Sequence, residues 1–399
     1  MNVQTEDCYG PGALLPRLQW KTGYSDPYRF QSPEEFKKLM LETLAHGASD
    51  ILIQPGYPIC AEVNGVLCAV THRAIDENEV REILVHCAGR DTAYTDIVGG
   101  QSVNPHYNVF DPTKRDFRGE RVRYRYRVNG SPISYSGQTS CQIVMRSIPR
   151  DPISHTDIGL SEEIVRMACP EDGIVYVAGR TGSGKTTTFA SILRFILEND
   201  TPIKGNLITH EEPIEYTYQN IPSAHSIVAQ SQIPVHFADF YAANREAMRR
   251  KPGLIMIGEM RDQESIRAAI EASQTGHPVF GTVHATNVAA VIRRLISRFP
   301  ESERATAIYD IVDTARFIMA QVLVPGLDGG RIAAREWLKF DQATRDELME
   351  LSEMGRVTGK LRQIMNVSGW SFEKEAEKLL AEGRISPATA EALRRKADE

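Results

Sequence analysis

No stretch of this 399-residue chain approaches the roughly 20 consecutive apolar residues that a membrane-spanning helix requires, so no integral membrane segment is expected. The opening residues, Met1-Asn2-Val3-Gln4-Thr5-Glu6-Asp7, carry acid where a secretory signal carries Lys or Arg, and no apolar segment follows; a cytosolic protein is expected. The six cysteines (Cys8, Cys60, Cys68, Cys87, Cys141 and Cys169) include no Cys-x-x-Cys pair, which argues against a zinc site and a disulfide framework and leaves isolated thiols. Basic charge is not in excess either. A formal charge of −6 speaks against the broad positive footprint of a protein that coats nucleic acid, though not against a local basic channel. Internal repeats and low-complexity tracts are also missing.

What remains is the composition of a soluble globular protein, 42% hydrophobic and 25% charged, long enough for two or three domains. Residues 1–30 are rich in Pro, Gly and Tyr (Gly10-Pro11-Gly12, Asp26-Pro27) and read as an arm. Ser32-Pro33-Glu34-Glu35 is a helix-start signal, after which Phe36, Leu39, Met40, Thr43 and Leu44 recur at helical spacing. Strands are expected at Asp50 to Gln54, Ile59 to Val63 and Val66 to Val70, the last two joined by the hairpin pair Asn64-Gly65, with a helix over Asp76 to His86.

From Arg121 to Val128 the sequence alternates. Arg121, Arg123, Arg125 and Arg127 fall on one face and Val122, Tyr124, Tyr126 and Val128 on the other. This is either a half-buried strand with a solvated basic face or a local field suited to phosphate. A strand over Gln142 to Ser147 leads into Ile148-Pro149-Arg150-Asp151-Pro152, whose prolines favour extended chain, and the domain boundary is placed there. Beyond it, apolar strands (Ile174 to Ala178, Leu207 to Thr209, Leu254 to Ile257, Val279 to Val283) alternate with helices (Thr186 to Glu198, Phe237 to Arg250, Gln263 to Gln274). That alternation predicts a mostly parallel sheet covered on both faces. The tail after Phe340 reads as helical over Glu347 to Met354, Phe372 to Glu382 and Ala388 to Lys396.

The segment Gly179-Arg180-Thr181-Gly182-Ser183-Gly184-Lys185-Thr186-Thr187 follows an apolar strand and opens a helix, the context that gives a Gly-x4-Gly-Lys-Thr pattern its meaning. Glycines let backbone N–H groups curl around phosphate. Lys185 then reaches the β- and γ-phosphates of ATP, and the Thr186 hydroxyl ligates Mg²⁺. Hydrolysis also needs a group that orients or deprotonates water and another that helps hold the metal. Two acidic strand ends offer this: Ile257-Gly258-Glu259, and Ile208-Thr209-His210-Glu211-Glu212-Pro213-Ile214-Glu215. In a parallel sheet the carboxyl ends of neighbouring strands line one crevice, so both clusters are expected to face the loop. Thr275-Gly276-His277 and Thr282-Val283-His284 flank a further short strand, and an imidazole there can read the γ-phosphate or serve the fold.

Together these elements resemble the PilT/type II/type IV secretion family of hexameric traffic ATPases, from about Gly47 to Trp337. Gly47-Ala48-Ser49-Asp50-Ile51 with Asn64-Gly65 looks like the start of that family's PAS-like N-terminal domain. Arg125-Tyr126-Arg127-Val128-Asn129 resembles its Arg-rich strand, and Arg146-Ser147-Ile148-Pro149 the last strand of that domain. Glu211 to Glu215 looks like the Asp box, Ile257 to Asp262 the Walker B box, and Thr275 to His284 the His box.

The resemblance implies a RecA-like P-loop domain, a PAS-like α/β domain before it and a helical appendage after it, divided as 1–30, 31–150, 151–340 and 341–399. By it Glu211 activates water, Glu259 acts with Mg²⁺ and the γ-phosphate, His284 with His277 reads the nucleotide, and Arg125, Arg127 and Arg146 arrive from the N-terminal domain. It further implies a homo-hexamer on the cytoplasmic face of an inner-membrane secretion or conjugation apparatus, and leaves direct nucleic-acid binding open.

Departures from the pilus enzymes point to the DotB/TraJ branch of type IVB secretion and plasmid conjugation. Glu212 replaces Asp, and Lys251-Pro252-Gly253 replaces Asp-Pro-Asp, so the charge near the site is expected to differ. The tetracysteine module is absent. Val357-Thr358-Gly359-Lys360-Leu361-Arg362-Gln363-Ile364-Met365 stands where retraction ATPases carry Ala-Ile-Arg-Asn-Leu-Ile-Arg-Glu.

Overall fold

The computed structural model describes residues 15–116, 119–148, 151–351 and 353–398; the Gly10-Pro11-Gly12 turn, Cys8 and Pro149-Arg150 lie outside them. Two compact units divide the chain, Met1–Arg150 and Asp151–Glu399.

In the first unit, helix α1 (Pro33–Ala45) starts at a capping box: Ser32 accepts from the Glu35 amide while Glu35 reaches back to the Ser32 amide. Its apolar positions Phe36, Leu39 and Met40 are buried. Strands β1 (Asp50–Ile53), β2 (Cys60–Val63) and β3 (Val66–Ala69) follow, then helices α2 (Glu77–Ala88) and α3 (Ala93–Val98), then strands β4 (His106–Arg115), β5 (Arg121–Tyr135) and β6 (Gln138–Ile148). The six strands form one antiparallel sheet in the order β3-β2-β1-β6-β5-β4. Asn64 and Gly65 both take positive φ, as the tight β2–β3 turn requires. Strand β5 outruns the alternating segment by seven residues and buries Val122, Tyr126 and Val128, whereas Tyr124 stays half-buried.

The described part of the arm is anchored to this unit. Leu18 N–H donates to the Ala69 carbonyl and Ala69 N–H to that of Pro16, so the arm extends the sheet edge. The buried Glu42 carboxylate accepts the Lys21 and Thr22 amides.

The second unit runs α4 (Glu162–Met167), β7 (Gly173–Ala178), α5 (Lys185–Glu198), β8 (Gly205–Glu211), β9 (Ser226–Gln232), α6 (Phe240–Ala247), β10 (Pro252–Ile257), α7 (Gln263–Gln274), β11 (Pro278–Val283), α8 (Val288–Ile296), α9 (Arg304–Thr314), β12 (Ala315–Pro325) and β13 (Arg331–Lys339). Its sheet has the order β13-β12-β7-β11-β10-β8-β9, parallel throughout except for the β12–β13 edge. Separate apolar clusters cover its two faces, as a parallel sheet buried on both sides demands. The expected helix over Phe237 to Arg250 is shorter. Asp239 caps the Ala242 amide and starts it at Phe240, and a 3₁₀ turn, Met248–Arg250, ends it.

The tail comprises α10 (Gln342–Met349), α11 (Met354–Ser368), α12 (Phe372–Ala381) and α13 (Pro387–Asp398). The segment expected as one helix over Glu347 to Met354 is therefore two helix ends. Val357, Leu361, Phe372 and Leu379 join the same apolar cluster as α7 and α8. Trp337 and Trp370 exchange two backbone hydrogen bonds, and their rings stack at 6.4 Å. The buried Glu336 carboxylate accepts the first amides of both α8 (Val288, 2.6 Å) and α12 (Phe372, 3.4 Å), which ties the tail to the sheet. Among the described residues no helix is long and apolar enough to cross a membrane.

Candidate active site

Strand register decides which side chains meet. Val283 pairs with Ala178, Ile257 with Gly281, and His210 with Ile257, so β7, β11, β10 and β8 end side by side. The glycine-rich loop, His284 and Glu259 lie just past those ends, and Glu211 is the last residue of β8. They line one cavity of about 260 Å³ together with Thr181, Gly182, Lys185, Thr186, Glu212 and Glu215.

Gly179 leaves β7 at φ +155, and a Cβ there would fall 2.3 Å from Ser183 Oγ and 2.5 Å from the Gln321 carbonyl. Gly182 and Gly184 also have positive φ, the latter at the N-cap of α5, so the loop needs its glycines for conformation as well as for space. Lys185 Nζ donates to the carbonyls of Gly179 (2.9 Å) and Arg180 (3.2 Å), folding back over the loop. Burial lowers its pKa while Glu259 and Glu215 pull the other way, so the ammonium is partly desolvated and acid-flanked. The buried Ser183 hydroxyl has no partner among the described residues. An open glycine cradle, an ammonium above it, an unpaired hydroxyl and the first turn of a 14-residue helix all suit an anionic polyphosphate.

Glu211 is 4% exposed. Its Oε1 accepts from Thr209 Oγ1 (2.7 Å) and Gln230 Nε2 (2.9 Å), which fix the carboxylate's orientation. Burial raises its pKa and those donors only partly offset the effect, so it is a stronger base than a solvated glutamate. Glu259, by contrast, is half-exposed and pairs with His284 Nε2 at 3.4 Å. His284 directly follows β11, which lies between the loop strand β7 and β10, the strand that leads to Glu259. Burial and Lys185 lower its pKa, and Glu259 opposes them. Thr186 and Glu259 share this wall, and Mg²⁺ suits such a place because it usually takes one or two protein oxygens and completes its shell with phosphates and water.

Some expected members are not in this cavity. His277 directly precedes β11, at the end of the strand opposite to the one that leads to His284. Thr187 turns its hydroxyl to Tyr216 (3.0 Å) and faces away. Lys251-Pro252-Gly253 lies at the start of β10, so its charge belongs to the far side of the sheet and leaves the site's electrostatics alone. Gly253 stands there for space, since a Cβ would fall 1.8 Å from the Lys204 carbonyl. In the first unit, Arg127 sits directly across from Arg146, whose Nε donates to Asp50 at 2.8 Å, and Arg125 lies two residues back along the same face.

Gln321 escaped the sequence reading. From β12 its Nε2 donates to the Ser183 carbonyl (2.5 Å), while its Oε1 accepts from Thr188 Oγ1 (2.7 Å) and Arg335 Nε (2.9 Å), clamping the loop from behind. The available signal was a lone Gln inside the apolar run Phe317 to Val324.

A family model described as "Type II/IV secretion system protein" matches residues 112–366. The crystal structure of the ATPase DotB of Yersinia pseudotuberculosis aligns with TM-score 0.84 and 52% identity over 96% of this chain and 98% of that one. For the Legionella pneumophila ATPase DotB the values are 0.80 and 38%, over 93% and 98%. The Type IV pilus retractation ATPase PilT of Pseudomonas aeruginosa is 30% identical over 89% of this chain and 97% of its own.

Proposed function

Because the chain belongs to the Type II/IV secretion system protein family and is an ATP-hydrolysing P-loop enzyme of RecA-like α/β fold, we propose that it is a hexameric traffic ATPase of a type IVB secretion or plasmid conjugation apparatus. It would act at the cytoplasmic face of the inner membrane, coupling hydrolysis to substrate transfer or assembly. The convergence of Lys185, Glu211, Glu259 and His284 on one cavity carries the catalytic half of this reading. Likeness to the two DotB ATPases favours the secretion branch.

In this reading the loop amides and Lys185 hold the phosphates, and Thr186 with Glu259 hold Mg²⁺, which spreads the negative charge that builds up on the transferred phosphoryl. Glu211 takes a proton from the attacking water, its carboxylate held in place by Thr209, Gln230 and the Glu215 amide. His284 feels the terminal phosphate through its contact with Glu259. Arg125, Arg127 and Arg146 supply positive charge from the N-terminal unit, and Arg146 exchanges Asp50 for phosphate.

Steady-state hydrolysis with purified protein tests the scheme. Lys185→Ala should abolish turnover, and Arg125→Ala or Arg127→Ala should slow it without any dependence on added DNA; stimulation of wild type by DNA would favour a nucleic-acid translocase instead. Gel filtration with Mg·ATP should report six copies. The PilT match supports a second reading, a pilus retraction motor. Deleting the gene would then stop twitching and spare effector or DNA transfer, whereas the secretion reading expects the reverse.

A further inference from the structure

The glycine-rich loop takes its shape from a strand outside it. Gln321 is 3% exposed, and the pairing of Ala320 with Ala178 sets it beside the end of β7. Two of the loop's glycines are fitted around it. A Cβ on Gly179 would fall 2.5 Å from the Gln321 carbonyl, and one on Gly184 would fall 2.8 Å from its Nε2.

The neighbours of the Gln321 amide leave it one orientation. The Ser183 carbonyl can only accept, so it takes Nε2–H; the Arg335 guanidinium can only donate, so it takes Oε1, to which the Thr188 hydroxyl also donates. Arg335 stays charged at neutral pH, since burial brings its pKa down only to about 10, and it pins the acceptor end of the amide. Carbonyl and N–H of a trans peptide point in opposite directions. With the Ser183 carbonyl gripped from behind the loop, the Gly184 N–H of the same peptide points forward, toward the cradle. The next peptide is fixed as well, because the Thr188 amide donates to the Gly184 carbonyl at 3.0 Å.

We propose that Gln321 is a positioning residue for phosphate binding: it sets the direction of the Ser183–Gly184 peptide before nucleotide arrives, and Arg335 in turn sets Gln321. Both ends of its amide are taken by protein groups, so it acts through the loop and not on the nucleotide itself. The inference rests on the reading that the loop amides hold phosphate. An amide aimed in advance binds phosphate in the ground state and the transition state alike, so losing its support raises KM and leaves kcat nearly alone. A side chain that served only stability would instead lower the folded fraction, which cuts the apparent kcat at constant KM.

Steady-state hydrolysis and thermal unfolding of the full chain test this with two variants. Gln321→Glu keeps oxygens for Thr188 and Arg335 but has no N–H for Ser183, and Gln321→Met removes all three bonds without adding charge. Each should raise KM for Mg·ATP by about tenfold, the worth of one well-made hydrogen bond to phosphate, with kcat within about threefold. Gln321→Glu should unfold close to the wild-type temperature. An unchanged KM in Gln321→Glu overturns the proposal. So does a KM that rises in Gln321→Glu but not in a folded Gln321→Met, which would assign the effect to charge. If Gln321→Met does not fold, the KM and kcat of Gln321→Glu decide. Lys185→Ala tests the reading beneath: full turnover there would take phosphate out of the loop and the inference with it, whereas lost turnover there beside an unmoved KM in the Gln321 variants sinks the inference alone.

Discussion

Gly258 N–H donates to the His210 carbonyl at 2.7 Å, and a Cβ on residue 258 would lie 2.8 Å from that same oxygen and 3.2 Å from Glu211 Cα. The two strand ends that carry the proposed catalytic acids are thus held at a spacing only glycine allows. The bonded residues are the immediate neighbours of the two acids, Gly258 of Glu259 and His210 of Glu211. Gly258→Ala should move both carboxylates, lowering kcat at least about tenfold and stability by about 1–3 kcal/mol, the usual range for overpacking. Kinetics beside denaturant unfolding checks this; an unchanged kcat would show that the spacing is not needed.

Glu211 must be ionised to accept a proton, and burial raises its pKa. Activity should therefore fall on the acid side with a midpoint above the ordinary glutamate value of about 4.3. In Glu211→Gln the rate should drop by about 10²-fold or more and that acid limb should vanish. A pH–rate profile of the two proteins decides the matter.

His210 is fully buried, bonds Asn244 Oδ1 at 2.7 Å, and has its pKa pushed down to about 4, first by burial and then by Arg250. The unfolded chain, titrating near 6.5, binds the proton more readily, so stability is lost as pH falls from about 6.5 to about 4, on the order of 2 kcal/mol by pH 5. Removing both polar partners with His210→Leu and Asn244→Leu should flatten that part of the stability curve. Urea midpoints at pH 7 and pH 5 measure it.

Glu336 holds the first amides of α8 and α12 with one carboxylate, and burial raises its pKa against the pull of those two donors. Glu336→Ala leaves both amides without their acceptor and should cost about 2–3 kcal/mol, with the tail becoming more sensitive to protease. Glu336→Gln keeps one acceptor oxygen and should cost roughly half as much. Equal effects would mean that the charge, rather than the hydrogen bonds, sustains the clasp.

Regular structure was legible wherever a pattern is local. The Ser32 capping box, the Asn64-Gly65 turn and the strand before Gly179 each carry their instruction within a few residues, and each element formed at its place. The helix expected over Glu347 to Met354 failed because short polar helices have no strong period, and packing against the core settles their ends. Strands β12 and β13 and helices α8 and α9 went unread; charged residues interrupt their apolar positions (Arg293-Arg294 in α8, Arg335-Glu336 in β13), and tertiary packing rather than a clean local period fixes them.

The sequence by itself determined the loop chemistry, since glycines at 179, 182 and 184, a lysine at 185 and a threonine at 186 are contiguous and need no partner to be recognised. It also supplied Glu211, Glu259 and His284 as candidates. Only the tertiary structure decided that those three stand together while His277 and Thr187 face elsewhere, because strand order and register, not sequence distance, bring strand ends into one crevice. It alone placed Gln321 behind the loop, because parallel pairing of β12 with β7 sets it beside the end of the loop strand while antiparallel pairing with β13 sets it across from Arg335.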